Sequence, residues 1–314
     1  MPPIPRIGAV SEPVISIRGL RKSYDELEAL RGIDLEVFPE EIVAVLGPNG
    51  AGKTTTVEIL EGYLSRDAGE VSVLGVDPAR PTTAWRERIG IVLQSTTLEP
   101  ALTVRESLQQ YAGYYSEPRD VDEVIGLVGL EEQAGTRARK LSGGQQRRLD
   151  VGIALVGDPD LLFLDEPTTG FDPSARRQAW EMIAGLRELG KAVLLTTHYM
   201  EEAQFLADRV AIVSEGRIVA LDTPDNLGDR RQLPTTIAFS VPGETDLSTV
   251  EGVGQTLSHA TGEGGSLTVE VTTHEPVADL NRITGWALES GIEIRQLEVR
   301  RPSLEDVYLE LTDA

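Results

Sequence analysis

The stretch Gly47-Pro48-Asn49-Gly50-Ala51-Gly52-Lys53-Thr54 decides the fold of this chain. It matches the pattern G-x-x-x-x-G-K-[ST] at every position. The glycines of this pattern let a loop turn tightly enough for its backbone N–H groups to surround phosphate groups. An apolar run at residues 42–46 precedes the loop and an amphipathic stretch follows it. This strand–loop–helix context is the one that a phosphate-binding loop requires.

Two side chains of the phosphate loop have expected roles in nucleotide binding. Lys53 should reach the β- and γ-phosphates, and the Thr54 hydroxyl should help to hold Mg²⁺. The helix that begins near Lys53 would direct the positive end of its dipole at the same anion. The expected nucleotide-binding residues of this segment are Gly47, Pro48, Asn49, Gly50, Ala51, Gly52, Lys53, Thr54 and Thr55.

Short apolar runs alternate with longer amphipathic stretches over about the first 230 residues, which is typical of an α/β fold with a largely parallel sheet. The runs with the length and composition of buried strands cover residues 42–46, 89–93, 161–164 and 192–195. The residues that follow these runs and could bind a ligand or take part in catalysis are Gly47, Gln94, Asp165 with Glu166, and His198. Because ligands of such sheets bind at the carboxyl ends of the strands, we expect all of these residues at one site.

The acidic pair Asp165-Glu166 supplies the expected partner of the phosphate loop. Asp165 would bind Mg²⁺ directly or through water, and Glu166 would polarise an attacking water as a general base or as the group that orients it. An apolar run followed by two acidic residues also fits an ordinary strand that ends in a solvated turn. The phosphate loop upstream favours the catalytic interpretation.

The segment Leu141-Ser142-Gly143-Gly144-Gln145, which we call the signature segment, is a second candidate for phosphate binding. Ser142 can cap the helix that follows, and the two glycines leave its first N–H groups open to a phosphate. Alone, the segment also fits a plain capped helix after a turn. Together with the phosphate loop and the acidic pair, it indicates a chain with two different phosphate-binding helix starts.

The composition limits the classes of partner and compartment. The chain has 314 residues, which suggests two domains, and a formal net charge of −22, which disfavours a nucleic-acid partner. It has no cysteine, so disulfides and thiolate metal sites are excluded. We read no signal peptide at the start and no window of the roughly 20 apolar residues that cross a bilayer, and we therefore expect a soluble chain.

A break in the pattern near Pro224, Asn226 and Gly228 marks the expected domain boundary, with domains at residues 1–228 and 229–314. The second domain should be a small α+β module. We expect strands at residues 235–241, 266–273 and 292–299 and a helix at residues 277–290. A last helix should begin at Ser303, with Asp306 completing its cap.

These segments, in this order, resemble the nucleotide-binding subunit of ABC transporters over residues 14–230. The resemblance implies a P-loop NTPase core with a helical subdomain at about residues 95–157. It also implies that two copies of the chain pair head to tail and bind ATP, with Mg²⁺, between one phosphate loop and the Ser142-Gly143-Gly144 of the other copy. One chain has one copy of each element, which agrees with a dimer.

The resemblance also implies roles for single residues. Tyr24 would stack on adenine, and Gln94 would contact Mg²⁺ and the attacking water. His198 would contact the γ-phosphate, and Asp172 would lie at the dimer interface. By this resemblance the catalytic residues are Glu166, His198, Gln94 and Lys53; the metal ligands are Thr54, Gln94 and Asp165; and the nucleotide-binding residues include Tyr24, Ser142, Gly143, Gly144, Gln145 and Asp172. Phe171 replaces the leucine that is usual in the family, a conservative difference.

The ending Arg301-Pro302-Ser303-Leu304-Glu305-Asp306-Val307-Tyr308-Leu309 resembles the daunorubicin-resistance type of exporter ATPase. That type implies efflux of a drug, lipid or polysaccharide through separate integral membrane permease subunits, which the family docks at residues 95–108. The subunit would then lie on the cytoplasmic side of the membrane. An importer ATPase and a soluble ABC ATPase that acts on DNA or the ribosome are the alternatives. A P-loop kinase or GTPase is disfavoured because no acceptor lid or guanine-specific element is found.

Overall fold

The computed structural model describes residues 12–94, 98–229, 233–247, 253, 256–261 and 266–312. The chain divides into two compact units, the first of which ends at Pro224 and the second of which begins at Asp225. The sequence placed this boundary between residues 228 and 229. Each unit has a hydrophobic core of its own.

The first unit contains both strands and helices. Its strands are β1 (Ile15–Tyr24), β2 (Leu27–Val37), β3 (Ile42–Leu46), β4 (Ala68–Val73), β5 (Ile89–Val92), β6 (Leu161–Asp165), β7 (Ala192–Thr197), β8 (Arg209–Ser214) and β9 (Arg217–Asp222). Its helices are α1 (Lys53–Leu60), α2 (Thr83–Glu87), α3 (Val104–Ala112), α4 (Val121–Leu127), α5 (Gly143–Leu155), α6 (Pro173–Glu188) and α7 (Met200–Leu206).

The larger sheet of the first unit has the strand order β5-β6-β7-β3-β8-β9. The strands from β5 to β8 pair in parallel, and β9 pairs antiparallel with β8. All residues of β3 are buried, as its apolar, β-branched composition predicts. The predicted strands β3, β5, β6 and β7 therefore lie side by side, and their carboxyl ends meet at one edge of the sheet.

A second, antiparallel sheet in the first unit has the order β2-β1-β4 and was not predicted from the sequence. Its strands alternate buried and partly exposed residues, and β1 has irregular pairing near Gly19, where φ is +58°. These features weaken the periodic signal of a strand. The sheet closes the core of the unit, to which Ile17, Leu35 and Val71 contribute.

Helices α3, α4 and α5 fall within the helical subdomain expected at about residues 95–157. Short 3₁₀ turns at Glu131–Gln133 and Ala138–Lys140 connect α4 to α5. The helices pack on one another through buried aliphatic side chains, such as Leu108, Val124 and Leu149. Residues 95–97, where the predicted permease-docking segment begins, lie outside the described residues.

The second unit is an antiparallel sheet with two helices. Its strands are β10 (Thr235–Pro242), β11 (Thr256–Thr261), β12 (Ser266–Thr273) and β13 (Arg295–Arg300), in the order β11-β12-β10-β13, and its helices are α8 (Pro276–Ser290) and α9 (Leu304–Thr312). Phe239, Ile283 and Trp286 are in its core. A 3₁₀ turn at Leu227–Asp229 precedes the sheet.

Two details of the second unit bear on the sequence predictions. Ser303 and Asp306 form the expected cap of α9, because Asp306 Oδ2 accepts from Ser303 N at 2.6 Å and Ser303 Oγ accepts from Asp306 N at 3.1 Å. The strand expected from residue 292 begins at Arg295 instead. The reason is that α8 ends at Gly291 in a left-handed turn with φ +64°, and the backbone N–H of Ile292 bonds back to Ala287 O. Among the described residues of both units, no helix is long and apolar enough to cross a membrane.

Candidate functional site

The phosphate loop connects β3 to α1, and its glycines are required by close contacts. Gly52 caps α1 with φ +105°, and a Cβ atom there would lie 2.6 Å from Leu30 Cδ2 and 2.9 Å from the Ala29 carbonyl oxygen. A Cβ atom on Gly47 would lie 2.3 Å from the Val213 carbonyl oxygen. Any side chain at either position would therefore displace the loop from the strands on which it packs.

Lys53 lies across the phosphate loop as its first helical residue. Its side chain is buried, and Nζ donates to the carbonyl oxygens of Gly47 at 2.8 Å and Pro48 at 3.1 Å. Burial lowers the pKa of Lys53, while the negative charges of Glu166 and Asp165 act in the opposite direction. The loop thus holds a positive charge at its base, close to two carboxylates.

A cleft of about 600 Å³ opens beside the phosphate loop. Its lining includes Tyr24, Leu27 and Ala29, which contribute apolar surface. Tyr24 and Leu27 are register partners at the turn between β1 and β2, so the hairpin presents both at one place. The lining also includes the charged residues Lys53 and Glu166. A ligand with a flat apolar part and a phosphate chain would match this combination of lining residues.

Three polar side chains surround the carboxylate of Glu166. Its Oε2 atom accepts from Gln94 Nε2 at 3.0 Å and from Thr169 Oγ1 at 3.0 Å. Its Oε1 atom lies 3.1 Å from His198 Nδ1. The Glu166 side chain is only 11% exposed, whereas that of His198 is 38% exposed. Gln94, Glu166 and His198 follow β5, β6 and β7, so the parallel sheet brings them together.

Thr196, the register partner of Asp165 in β7, fixes the backbone at the end of β6. Its Oγ1 donates to Asp165 Oδ1 at 2.5 Å and accepts from the backbone N–H of Glu166 at 3.1 Å. The same N–H also lies 3.1 Å from the Thr196 carbonyl oxygen. Glu166 has a φ of +44°, which is a strained conformation for a residue with a side chain. Thr196 therefore holds the acidic pair in an unusual turn.

A stack of side chains supports His198 from the other side. The rings of His198 and Tyr199 are 4.1 Å apart between centroids. The Arg176 guanidinium of α6 lies 4.5 Å from the Tyr199 ring centroid. The stack restricts the His198 ring and connects it to α6, whose first turn is capped by Asp172.

Asp172 and the signature segment lie at the starts of two helices. Ser142 Oγ accepts from Gln145 N at 3.3 Å, and Gln145 Oε1 accepts from Ser142 N at 2.9 Å, which is a capping box on α5. Asp172 Oδ1 accepts from Ser174 N at 2.9 Å and Ala175 N at 3.0 Å. These polar side chains are therefore committed to their own helices, while Gly143 leaves open space at the start of α5.

Only some of the predicted site residues line the cleft. Of the residues named from the sequence, those that line it are Tyr24, Asn49, Gly50, Gly52, Lys53, Thr54, Thr55, Gln94, Glu166 and His198. Within the part of the chain that the structure describes, those that do not line it are Gly47, Pro48, Ala51, Ser142, Gly143, Gly144, Gln145, Asp165 and Asp172. The signature segment is thus separate from the cleft of its own chain.

Sequence reasoning missed four residues of the site: Leu27, Ala29, Thr169 and Thr196. Leu27 and Ala29 occupy alternate positions of β2, so recognition of the hairpin after Tyr24 would have found them. Thr196 is a polar residue at the end of an apolar strand, the same signal that identified Gln94 and Asp165. Thr169 has no comparable signal, because its role depends on the turn that follows β6.

Comparison with family models matches residues 30–169 to the family described as ABC transporter. Residues 235–303 match the model described as ABC transporter domain-containing protein-like, C-terminal domain. The two matches fall in the first and second units respectively.

The chain is similar over nearly its whole length to curated proteins. It is 36% identical to a daunorubicin resistance ATP-binding protein of Streptomyces coeruleorubidus, with 96% of this chain and 97% of that protein covered. It is 33% identical to a linearmycin resistance ATP-binding protein of Bacillus subtilis, with 95% and 98% covered. It is 38% identical to a Nod factor export ATP-binding protein of Burkholderia pseudomallei, with 95% and 96% covered.

Solved structures resemble the chain as well. A protein of Clostridium perfringens that is part of an ABC transporter complex has a TM-score of 0.64 and 28% identity, with 69% of this chain and 90% of that chain covered. A dimeric ATP-binding cassette in a post-hydrolysis state, bound to ADP and Pi, has a TM-score of 0.59 and 25% identity, with 67% and 98% covered.

Proposed function

Because this chain belongs to the ABC transporter family, as an ATP-binding and hydrolysing subunit that resembles those of drug exporters, we propose a specific arrangement of its ATP sites. Two copies of the chain pair head to tail. Each ATP lies in the cleft of one copy and is covered by the signature segment of the other. Two such sites form in the dimer, and each is completed by residues of both chains.

The observation that carries this proposal is that the predicted site residues lie in two separate places on one chain. The cleft contains the phosphate loop together with Gln94, Glu166 and His198, but not the signature segment. The start of α5 at Ser142 is nevertheless a capped helix end with exposed residues beside it, which is suited to an anion. A second copy offers the missing half, and a dimeric cassette with ADP and Pi is among the structural relatives.

Each part of ATP has a matching surface in the cleft. The adenine would stack on Tyr24 and contact Leu27, and the phosphates would bind the N–H groups of the phosphate loop and Lys53. Lys53 would exchange its two carbonyl contacts in the loop for phosphate oxygens. The γ-phosphate would then lie beside Glu166 and His198.

The hydrolysis step uses the Glu166 carboxylate as general base. A water oxygen attacks the γ-phosphorus, the bond between that phosphorus and the bridging oxygen of ADP breaks, and a proton of the water passes to Glu166. Gln94 and Thr169 keep Oε2 in place through their hydrogen bonds. His198 holds Oε1 and, through its exposed side, the γ-phosphate.

Thr54 and Gln94 of the cleft, together with the neighbouring Asp165, fit Mg²⁺. Magnesium prefers oxygen ligands, keeps several waters, and is bound through one or two carboxylates and substrate phosphates. The Asp165 carboxylate uses Oδ1 to accept from Thr196, and the described residues give its Oδ2 no hydrogen bond. Asp165 at the end of β6, Thr54 and the Gln94 side-chain oxygen would hold the ion. When bound, Mg²⁺ would neutralise the charge that develops on the phosphates.

The dimer would energise separate integral membrane permease subunits that export a drug, lipid or polysaccharide. The similar proteins named for daunorubicin resistance, linearmycin resistance and Nod factor export support this range. A groove of about 170 Å³ lies partly in the segment expected to dock the permease, and its lining is both apolar and polar: Leu98, Glu99, Pro100, Leu102, Ser107, Gln110 and Tyr111. The chain would sit at the cytoplasmic side of the membrane through that contact.

Mixed dimers test the arrangement. Lys53→Ala disables the phosphate loop of a chain, and Ser142→Arg blocks its signature segment with a bulky cation. When one chain carries Lys53→Ala and the other Ser142→Arg, both changes fall in the same site and one site stays intact. When one chain carries both changes and the other is wild type, each site is damaged once.

The expected result is measurable ATP hydrolysis for the first mixed dimer and loss of hydrolysis for the second. Differently tagged chains allow each mixed dimer to be purified. Ser142→Arg should leave ATP binding by the monomer unchanged, since its contact is made with the partner's nucleotide. Equal hydrolysis by both mixed dimers would refute the head-to-tail arrangement.

A further inference from the structure

Arg147 of α5 connects the helix of the signature segment to the loops that carry the catalytic side chains. It is 7% exposed, and each nitrogen of its guanidinium bonds a backbone carbonyl oxygen. Nε donates to Pro167 O at 3.0 Å, one terminal nitrogen donates to Asp165 O at 2.7 Å, and the other donates to Leu93 O.

These carbonyl groups belong to residues next to Glu166 and Gln94 in the sequence. Asp165 and Pro167 flank Glu166, and Leu93 immediately precedes Gln94. One guanidinium therefore holds the backbone on both sides of the catalytic carboxylate and next to the amide that bonds it. The planar fork of arginine suits three acceptors in fixed directions, and hydrogen bonds from a charged donor are the stronger kind.

Acidic groups around Arg147 offset part of the cost of burying its positive charge. Asp150, Asp165 and Glu202 all act electrostatically on the guanidinium. Glu202 is itself fully buried, and its Oε1 accepts from Thr168 Oγ1 at 2.6 Å and Trp180 Nε1 at 3.0 Å. Burying such charges is costly even when they are paired. Well-packed apolar residues would serve stability alone at least as well.

We propose that Arg147 is a positioning residue that couples the signature segment to Gln94 and Glu166 of the same chain. The inference rests on the proposed function, because in the head-to-tail dimer these two parts of one chain act on different ATP molecules. The signature segment contacts the partner's ATP, while Gln94 and Glu166 act on the chain's own ATP. A shift of α5 when it engages ATP at one site is thereby passed to the catalytic groups of the other site.

Cooperative hydrolysis is the consequence of this coupling. ATP at one site aligns the base at the other, so the rate should rise with ATP more steeply than for independent sites. For two sites the Hill coefficient then lies above 1 and has an upper limit of 2. Loss of the Arg147 connection should make the two sites independent without removing either binding surface.

Arg148 provides a matched control on the same helix. It is half-buried and its NH1 atom donates to Gly129 O at 3.0 Å, a contact within the helical part of the unit. It therefore has the same chemistry and neighbouring position as Arg147, but among the described residues its hydrogen bond goes to Gly129 and not to the catalytic loops. Lysine is the substitution to use at both positions, because it retains the charge but offers a point donor that cannot bond three separated carbonyls.

The experiment measures ATP hydrolysis against ATP concentration for wild type, Arg147→Lys and Arg148→Lys. Equilibrium binding of a fluorescent ATP analogue to dilute monomer and the melting temperature are measured on the same samples. We expect Arg147→Lys to lower kcat about tenfold, as the loss of well-aligned hydrogen bonds near the reacting groups would. Its Hill coefficient should fall toward 1 while analogue binding stays within about twofold. Arg148→Lys should match wild type.

The outcomes separate this inference from the proposed function. A cooperative wild type with an equally cooperative and equally active Arg147→Lys would overturn the coupling alone. A lower melting temperature with an unchanged Hill coefficient would give Arg147 a purely structural role and would overturn it too. A non-cooperative wild type, together with no ATP-dependent dimer of Glu166→Gln, would overturn the head-to-tail arrangement and the coupling with it.

Discussion

Gln94 donates a hydrogen bond from Nε2 to Oε2 of Glu166 across 3.0 Å, although the two residues are 72 positions apart in the sequence. The parallel pairing of β5 with β6, in which Val92 faces Leu164, brings them together. Gln94, Thr169 and His198 surround the Glu166 carboxylate, which leaves it little freedom to rotate. Because the base is already held in one orientation, the reaction does not have to pay the entropy cost of orienting it.

Replacing Glu166 by glutamine should stop turnover but keep ATP binding. The amide has the shape of the carboxylate but cannot accept a proton from water, so we expect kcat to fall by about 10²- to 10⁴-fold. Because ATP then persists, the closed dimer should accumulate. ATP hydrolysis and size-exclusion chromatography with and without ATP measure the two effects.

Glu117→Gln is the control for this variant, since Glu117 is exposed and does not line the cleft. It should hydrolyse ATP like wild type and form no persistent dimer. If Glu166→Gln hydrolysed ATP at the wild-type rate, the assignment of Glu166 as the general base would be wrong.

Thr196→Val should affect both stability and catalysis. Valine has nearly the same shape, but it removes the donor to Asp165 Oδ1 and an acceptor of the Glu166 N–H. We expect a loss of about 1–3 kcal/mol in the free energy of unfolding and a fall in kcat of about tenfold as the acidic pair relaxes. Denaturant unfolding and steady-state hydrolysis provide these quantities.

Thr273→Val separates the two effects. Thr273 makes the same pair of bonds in the second unit, because its Oγ1 donates to Asp279 Oδ2 at 2.5 Å and accepts from Glu275 N at 2.8 Å. Its loss should destabilise the protein to a similar degree with kcat unchanged. An equal fall in kcat in both variants would mean that Thr196 acts on catalysis only through stability.

Tyr24→Ala should weaken ATP binding without slowing the chemical step. Stacking of a base on an aromatic ring contributes about 1–3 kcal/mol, so the half-saturating ATP concentration should rise about tenfold or more. Tyr24→Phe keeps the ring and should stay within about twofold of wild type. Tyr63, a 72% exposed tyrosine outside the cleft, is the control. A Tyr24→Ala variant with unchanged half-saturation would rule out adenine stacking on this ring.

The α/β P-loop fold and the exporter ATPase function could be predicted from the sequence, and both predictions are confirmed by the family match and the relatives. The reason is that the decisive features are local. The phosphate loop from Gly47 to Thr54 and the signature segment have fixed spacing within a few residues, and each apolar strand is followed directly by its polar residue. A parallel sheet then requires those polar residues to meet.

The rest of the site depends on contacts that no local pattern encodes. Thr196 reaches Asp165 only because β6 and β7 pair in one register, and a shift of one residue would turn its side chain to the opposite face. Arg147 looks like any basic residue of an amphipathic helix until three carbonyl groups converge on it. The roles of the single site residues remain predictions for the experiments above, and the domain boundary remains a prediction as well.

Glu61 should make the stability of the fold depend on pH. It caps the end of α1, its side chain is buried, and its Oε2 atom has no hydrogen-bond partner among the described residues. Burial, with the negative charges of Asp165 and Glu58, raises the pKa of Glu61 from 4.5 to about 8. The folded chain therefore keeps this proton in a range where the unfolded chain has released it. Stability from this group is complete below pH 4.5 and is lost as the pH rises toward about 8.

Glu61→Gln tests this linkage, since glutamine imitates the protonated acid at every pH. At pH 8 the variant should be more stable than wild type by at least about 1 kcal/mol, and the difference should shrink as the pH falls toward 5. Denaturant unfolding at several pH values measures it, with Glu132→Gln, an exposed position, as the control. A constant difference between Glu61→Gln and wild type across this range would show that Glu61 has an ordinary pKa in the folded chain. The steeper dependence expected for wild type follows because, between pH 4.5 and about 8, its Glu61 is ionised in the unfolded chain but still protonated in the folded chain.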